Sequence, residues 1–349
     1  MGFQSCLLRL LPFAAMVMLE FVDTGLNVIS KAAMSKGMSH FVFVVYSNAL
    51  ATLIMFLSSF FFYRTKRPPL TYSLLCKFFL LSLVGITVMQ NCVFTGVNYS
   101  SPTLASATVQ LVPAFTFLLA VILRMEKLDL RSSISRIKIM GTVVSITGAM
   151  IIIFYKGPPI GTTTFPSNPD PVLTAKKSWV IGGFFLATAS FSLSIFTTFQ
   201  AAILEGYPSE MTIVSFYCLF GTIQCAIVSL IAEKNPNAWK LKPDIELVSV
   251  IYSAVFGNVV TYSVMTWCIH KKGPVFVAMF KPLGIAIAAF LSVIFLGDTL
   301  HVGSIIGAII IVAGFYGALW AKSQEKEQSE IKQINEPQST PLLGSHTDV

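Results

Sequence analysis

The sequence predicts an all-α integral membrane fold of ten transmembrane helices, arranged as two inverted five-helix repeats. Three observations carry this. The 349 residues are 54% hydrophobic and only 11% charged, with a mean hydropathy of +0.75, whereas a soluble globular chain carries about 25% charged residues. The apolar residues fall into unbroken runs of about twenty, the length a helix needs to span a hydrocarbon core about 30 Å thick; barrel strands would alternate over about ten residues instead. Finally, the two halves repeat each other in order, and an odd number of spans per half forces the second half to insert upside down.

The spans are expected at 11–33, 41–63, 76–97, 103–123, 137–155, 179–200, 211–232, 246–269, 275–296 and 302–321. The first repeat then covers 10–156, a non-cytosolic linker 157–178, the second repeat 179–322, and a disordered cytosolic tail 323–349. The N-terminal run is too long, and too acidic at Glu20 and Asp23, for a signal peptide. The linker is rich in Pro, Gly and Thr, and the tail is polar with mixed charge. With the N-terminus inside, fifteen Lys and Arg fall on the inner segments and seven on the outer ones. By the positive-inside rule both termini face the cytosol, with the plasma membrane as the expected location and a vacuolar or other endomembrane as the alternative. Asn98-Tyr99-Ser100 fits a glycosylation pattern, but it lies against the membrane and is expected to stay unmodified. TPLL at 340–343 lacks the acidic spacing of a sorting signal.

The repeat is an ordered set of matches at a nearly constant offset. Ala32-Ala33-x3-Gly37 recurs as Ala201-Ala202-x3-Gly206, and Pro113 recurs as Pro282 at the same separation. Gly85, Pro102, Glu126 and Leu128 recur together as Gly257, Pro274, Asp298 and Leu300. Gly141 and Gly148 recur as Gly307 and Gly314, and the shared spacing within each pair makes them contact seams. Inverted repeats recur in secondary transporters, with the solute site between the halves near the midplane.

Within the spans, charge is the informative exception. Glu20, Asp23, Asn27 and Lys31 share one face of the first helix. A charge at mid-bilayer costs roughly 2.5–3.5 kcal/mol, so this stripe faces protein or water. Its repeat counterparts are Ala189, Ser192, Phe196 and Gln200, so the acids are not needed to build the fold. Lys281, just before Pro282, lies at a depth where it could meet Glu20; the alternative is a lysine snorkelling to the cytosolic headgroups. Pro282 also frees a carbonyl near residue 278. Gln90, Gln110, Asn258 and Tyr262 could line a polar cavity, as could Asn91, Thr95, Thr108, Tyr217, Gln224 and Thr261, although for any one of them an interhelical packing bond is the commoner role. The Ser/Thr-rich sixth span reads as close helix packing.

Several classes are excluded. The basic residues lie between spans without interleaved aromatics, so no nucleic acid partner is expected. The six cysteines form no metal spacing or disulfide framework. There is no phosphate loop, zinc-binding histidine pair or nucleophile elbow, hence no enzyme, no cofactor and no metal. The expected partners are a small solute, protons as a coupling ion and the bilayer; a homodimer is left open.

Asn27-x3-Lys31-Ala32-Ala33, Gly37-Met38-Ser39-His40 and Val42-Phe43-Val44-Val45-Tyr46 resemble the opening of the plant drug/metabolite transporters known as Walls-Are-Thin-related, UMAMIT or nodulin-type EamA proteins. Pro102-Thr103-x-Ala105-Ser106-Ala107, Pro113-Ala114-x-Thr116-Phe117 and Arg124-Met125-Glu126 are similar to their fourth span. Trp267-Cys268, Lys272-Gly273-Pro274-Val275-Phe276, Pro282-Leu283, Leu296-Gly297, Gly303-Ser304, Gly307 and Leu319-Trp320 match the last three spans. The resemblance implies the ten-helix EamA fold and transport of amino acids, with auxin as substrate for some members. Ser47, Gln110 and Asp298 depart from the family's usual Arg, Asn and Glu, and Gln110 suggests a shifted substrate preference. The reading is an alternating-access carrier, a facilitator or exporter, of amino acids or related small solutes such as auxin. Glu20, Asp23 and Asn27 would line the cavity, with Lys281 as counter-charge. A nucleotide-sugar-type carrier or a non-transporting scaffold are the alternatives.

Overall fold

The computed structural model describes residues 3–62, 70–99, 108–126, 132–155, 159–160, 179–241, 243–296 and 300–335. The first half contains α1 (Phe3–Ser35), α2 (His40–Phe62), α3 (Tyr72–Ser82) continuing into α4 (Met89–Tyr99), α5 (Val112–Ile122) and α6 (Ser133–Phe154). The second contains α7 (Trp179–Gly206), α8 (Glu210–Ala232), α9 (Ile245–Tyr252) continuing into α10 (Thr261–Lys272), α11 (Pro274–Ala278), α12 (Lys281–Leu296) and α13 (Val302–Asn335). Among the described residues, eight helical stretches are long and apolar enough to cross a membrane, and Val112–Ile122 and Pro274–Ala288 are shorter apolar pieces.

The two short pieces sit where proline forces a break. Pro113 and Pro282 each lie at the second position of a helix, where a missing N–H costs nothing. In front of them the chain turns, at Gln110-Leu111 and at Met279-Phe280. Gly273, with φ 85°, ends α10 and hands over to Pro274 at the start of α11.

A second irregularity also occurs twice. Between α3 and α4 the helix widens to π geometry at Leu83–Val88, and between α9 and α10 at Ser253–Val260. Such bulges shift the register of a helix face without ending the helix. Each contains the glycine that its half shares with the other, and each glycine admits the other half. A Cβ on Gly85 would strike Phe196 of α7, and one on Gly257 would strike Leu26 of α1. The halves therefore interlock reciprocally through the first helix of each.

The glycine seam predicted from sequence joins α6 to α13. A Cβ on Gly141 would lie 2.6 Å from the Gly314 carbonyl oxygen, and one on Gly148 2.8 Å from that of Gly307. Ser145 Oγ donates to the Ile311 carbonyl between them, at 3.1 Å.

Two boundaries differ from expectation. The sequence predicts a disordered tail from 323, but α13 runs on to Asn335; Glu, Lys and Gln in 323–335 are strong helix formers, and Glu325 is held by an ion pair with Lys138. Residues 336–349, including TPLL, lie outside the described residues. In the linker, Pro159–Ile160 pair antiparallel with Leu300–His301, a two-residue bridge across the halves; the rest of 161–178 lies outside the described residues, as do Pro102 and Asp298.

Candidate functional site

Glu20, Asp23 and Lys281 come together between the halves. Glu20 and Asp23 share one face of α1 because three residues make nearly one helical turn. Lys281 is the first residue of α12, placed there by the break before Pro282. Its ammonium lies 3.0 Å from Glu20 Oε1 and 3.2 Å from Asp23 Oδ2. The Glu20 side chain is 5% exposed, that of Lys281 18% and that of Asp23 31%. The snorkelling alternative for Lys281 thus gives way to the pair. At an effective dielectric constant of about 20 each contact is worth roughly 5 kcal/mol gross, most of it offset by desolvation of the ions.

Neighbouring residues fix the acids. Thr24 Oγ1 donates to the Glu20 carbonyl at 2.8 Å. Gly284, one turn beyond Lys281, has no side chain because Glu20 Oε2 occupies that space. Tyr252 of α9 reaches α1 at the Val22 carbonyl, and its ring covers Gly25.

From Tyr262 a polar track leads to the other half. Gln90 Nε2 donates to Tyr262 Oη at 3.4 Å, and Asn48 Nδ2 donates to Gln90 Oε1 at 3.4 Å. Tyr262 meets Tyr217 edge-on with centroids 5.1 Å apart, and Tyr217 stacks on Phe196 at 4.9 Å. Asn258 is buried in the second π segment, and its amide nitrogen has no hydrogen-bond partner among the described residues. The structure thus gathers Glu20, Asp23 and Lys281, and links Tyr262 with Gln90. It leaves the Asn27 side chain exposed on α1, and Gln110 buried in the break before Val112. The Lys31 side chain lies outside the described residues.

Sequence reasoning passed over Gly284, Tyr252 and Asn48. Gly284 had a signal, since it stands three residues after Lys281 and so on the same face. It also missed a second charge cluster. Lys138 Nζ bridges Glu126 Oε2 and Glu325 Oε2, both at 2.7 Å, and Lys322 Nζ reaches Glu126 Oε1 at 2.6 Å. This network ties the first half to the second beside the α6–α13 seam. Burial raises the Glu126 carboxyl, but the Lys322 and Lys138 ammoniums outweigh it and hold the group below its usual range. Far from the first cluster, Lys36 pairs with Asp244 at 2.7 Å and Tyr46 Oη donates to the Trp239 carbonyl at 2.7 Å.

Compared with known proteins, the chain matches the family model described as the EamA-like transporter family twice, over residues 14–154 and 180–320. The chain belongs to the EamA-like transporter family. The duplicated EamA unit coincides with the two halves described above. Two WAT1-related proteins of Arabidopsis thaliana are 44% and 42% identical to it, over 96% and 97% of this chain and 92% and 96% of their own lengths. The Arabidopsis thaliana protein WALLS ARE THIN 1 is 36% identical over 90% of this chain and 83% of its own length. A solved crystal structure 13% identical in sequence shares the fold with a TM-score of 0.66, covering 89% of this chain and 99% of its own. As an EamA member with many apolar helices, the chain is an integral multi-pass membrane protein of a family that moves small solutes.

Proposed function

We propose that this EamA protein is an alternating-access carrier of small zwitterionic organic solutes, amino acids first among them, at the plasma membrane. One observation supports the reading above the rest: the partly buried cluster between the halves holds two carboxylates and one ammonium. Left alone it carries one negative charge in surroundings where a charge is expensive. One further positive charge would balance it. A zwitterionic amino acid would set its α-ammonium on Glu20 and Asp23 and its carboxylate on Lys281, pairing every charged group while adding no net charge. The positive charge that balances the cluster is a proton on either acid, bound with or without the solute, which would couple transport to pH. The break before Pro282, which has no N–H to donate, interrupts a helix beside the site, and discontinuous helices are the device carriers use at midplane.

The same reading takes the two broken apolar pieces as spans four and nine. That gives ten spans in two inverted repeats, with both termini in the cytosol and the halves rocking about the site. Gln90, Tyr262 and Asn258 would form the far wall, with Gln110, Asn27 and Lys31 joining in other states of the cycle. Auxin, a carboxylate without an ammonium, would use Lys281 alone and raise the excess to two negative charges, so it ranks below an amino acid. The test is flux in proteoliposomes with and without a pH gradient. Saturable amino-acid flux, competed by other amino acids and changed by the gradient, is expected. Absence of flux from folded protein would overturn the carrier reading.

A further inference from the structure

A groove of about 550 Å³ runs along the outer face of the α6–α13 pair, away from the charged cluster between the halves. Its floor is the glycine seam at Gly141 and Gly314, where the backbones approach too closely for side chains. Met140 and Val144 wall it on α6. On α13 Gly317 opens onto it, and no atom lies within 4 Å of where a Cβ there would stand. From Ser133 to Val144 the groove follows about 16 Å of helix, close to the roughly 15 Å half-thickness of a hydrocarbon core. An acyl chain of a single leaflet fits that length.

The mouth of the groove is charged. Arg136, in the first turn of α6, is exposed; its guanidinium donates to Ser133 Oγ at 3.3 Å, and no carboxylate pairs with it among the described residues. The nearby network does not neutralise it, because Lys138, Lys322, Glu126 and Glu325 are two cations and two anions already matched to one another. Among the described residues Arg136 therefore stands as an uncompensated cation at headgroup depth, on the end of the bundle that the Lys and Arg distribution assigns to the cytosol. That leaflet carries the anionic lipids, and a basic residue at its surface is attracted by them.

We propose that this groove holds one anionic phospholipid of the cytosolic leaflet, its phosphate on Arg136 and an acyl chain over Gly141, Gly314 and Gly317. The proposal rests on the membrane embedding of the chain and not on its transport substrate. The full-length protein in detergent would be titrated with phosphatidylserine and, separately, phosphatidylcholine, and the adducts read by native mass spectrometry. One phosphatidylserine should bind each chain, in preference to phosphatidylcholine. Arg136→Gln should weaken phosphatidylserine about fivefold, the weight of one basic residue at an anionic surface, and leave phosphatidylcholine unchanged. Gly317→Leu, whose Cβ would meet nothing within 4 Å, should fill the groove and abolish both adducts without lowering the Tm. Equal binding of the two lipids, phosphatidylserine binding that neither variant alters, or a protein dimer that Gly317→Leu disrupts in place of a lipid adduct would each overturn it.

Discussion

Two contacts occupy matching places in the two halves and use different chemistry. In one, the first helix of the first half meets the broken helix of the second, α1 against α12, through Glu20 and Asp23 on Lys281. In the other, α7 meets α5: Ser190 Oγ donates to the Thr108 carbonyl at 2.9 Å and Ser194 Oγ to the Val112 carbonyl at 3.2 Å. Under the shift that carries Pro113 onto Pro282, Lys281 corresponds to Val112, Glu20 to Ala189 and Asp23 to Ser192. Neutral hydroxyl-to-carbonyl bonds suffice to close the second contact. The charges of the first are therefore more than the fold requires, and their imbalance of one marks them as a place for something that comes and goes. The Glu126–Lys138–Lys322–Glu325 network makes the complementary point. It is balanced two against two, so it reads as a fastening.

Breaking the charged contact should have the largest effect. Lys281→Met leaves Glu20 buried without a partner, a loss of about 3–5 kcal/mol, or drives it to take up a proton; flux should vanish either way, by proteoliposome assay and thermal melt. Next comes the seam: Gly148→Leu forces a side chain into the Gly307 backbone and should cost about 3 kcal/mol, the upper end for overpacking, read as a lowered Tm. Lys138→Met should cost less, about 2 kcal/mol, because Glu126 keeps Lys322 and Glu325 is partly exposed; flux per folded molecule should hold. Its acid side is testable as well. The depressed Glu126 carboxyl contributes stability that is present above its ordinary value of 4.5 and lost as pH falls through its lower folded value. Melting temperatures should therefore drop on acidification below about 4.5, and Glu126→Gln should remove that component. The smallest effect belongs to the neutral contact: Ser194→Ala should cost about 0.6 kcal/mol, the average for such bonds between membrane helices, and leave flux unchanged.

Much of this was legible in the residues. The runs of about twenty apolar residues gave the helices, and the glycine pairs marked contact faces that the structure joins as α6 and α13. Pro282 marked a freed carbonyl, whereas the full break before Lys281, within the expected span 275–296, was not legible. The stripe Glu20–Asp23 was legible because charge in an apolar run is rare, and depth alone put Lys281 within reach. The π segments were not legible, since their sequences LVGITV and SAVFGNVV have ordinary helical composition. The Lys138 network was hidden for another reason. Glu126 and Lys138 looked like solvated loop charges, and their partners lie far along the chain, at Lys322 and Glu325. Asn27 shows the limit of helical periodicity: a residue can share a stripe by angle and still lie beyond the helix that covers its neighbours.

The most direct measurement compares amino-acid uptake into proteoliposomes by the wild type, Asp23→Asn and the matching neutral variant Ser192→Ala, each with an imposed pH gradient. Asp23→Asn should lose at least tenfold in uptake, about 1.4 kcal/mol or more, together with the response to the gradient, while Ser192→Ala retains both. Uptake and pH response that survive intact in Asp23→Asn would show that the excess charge beside Lys281 is not where the solute binds.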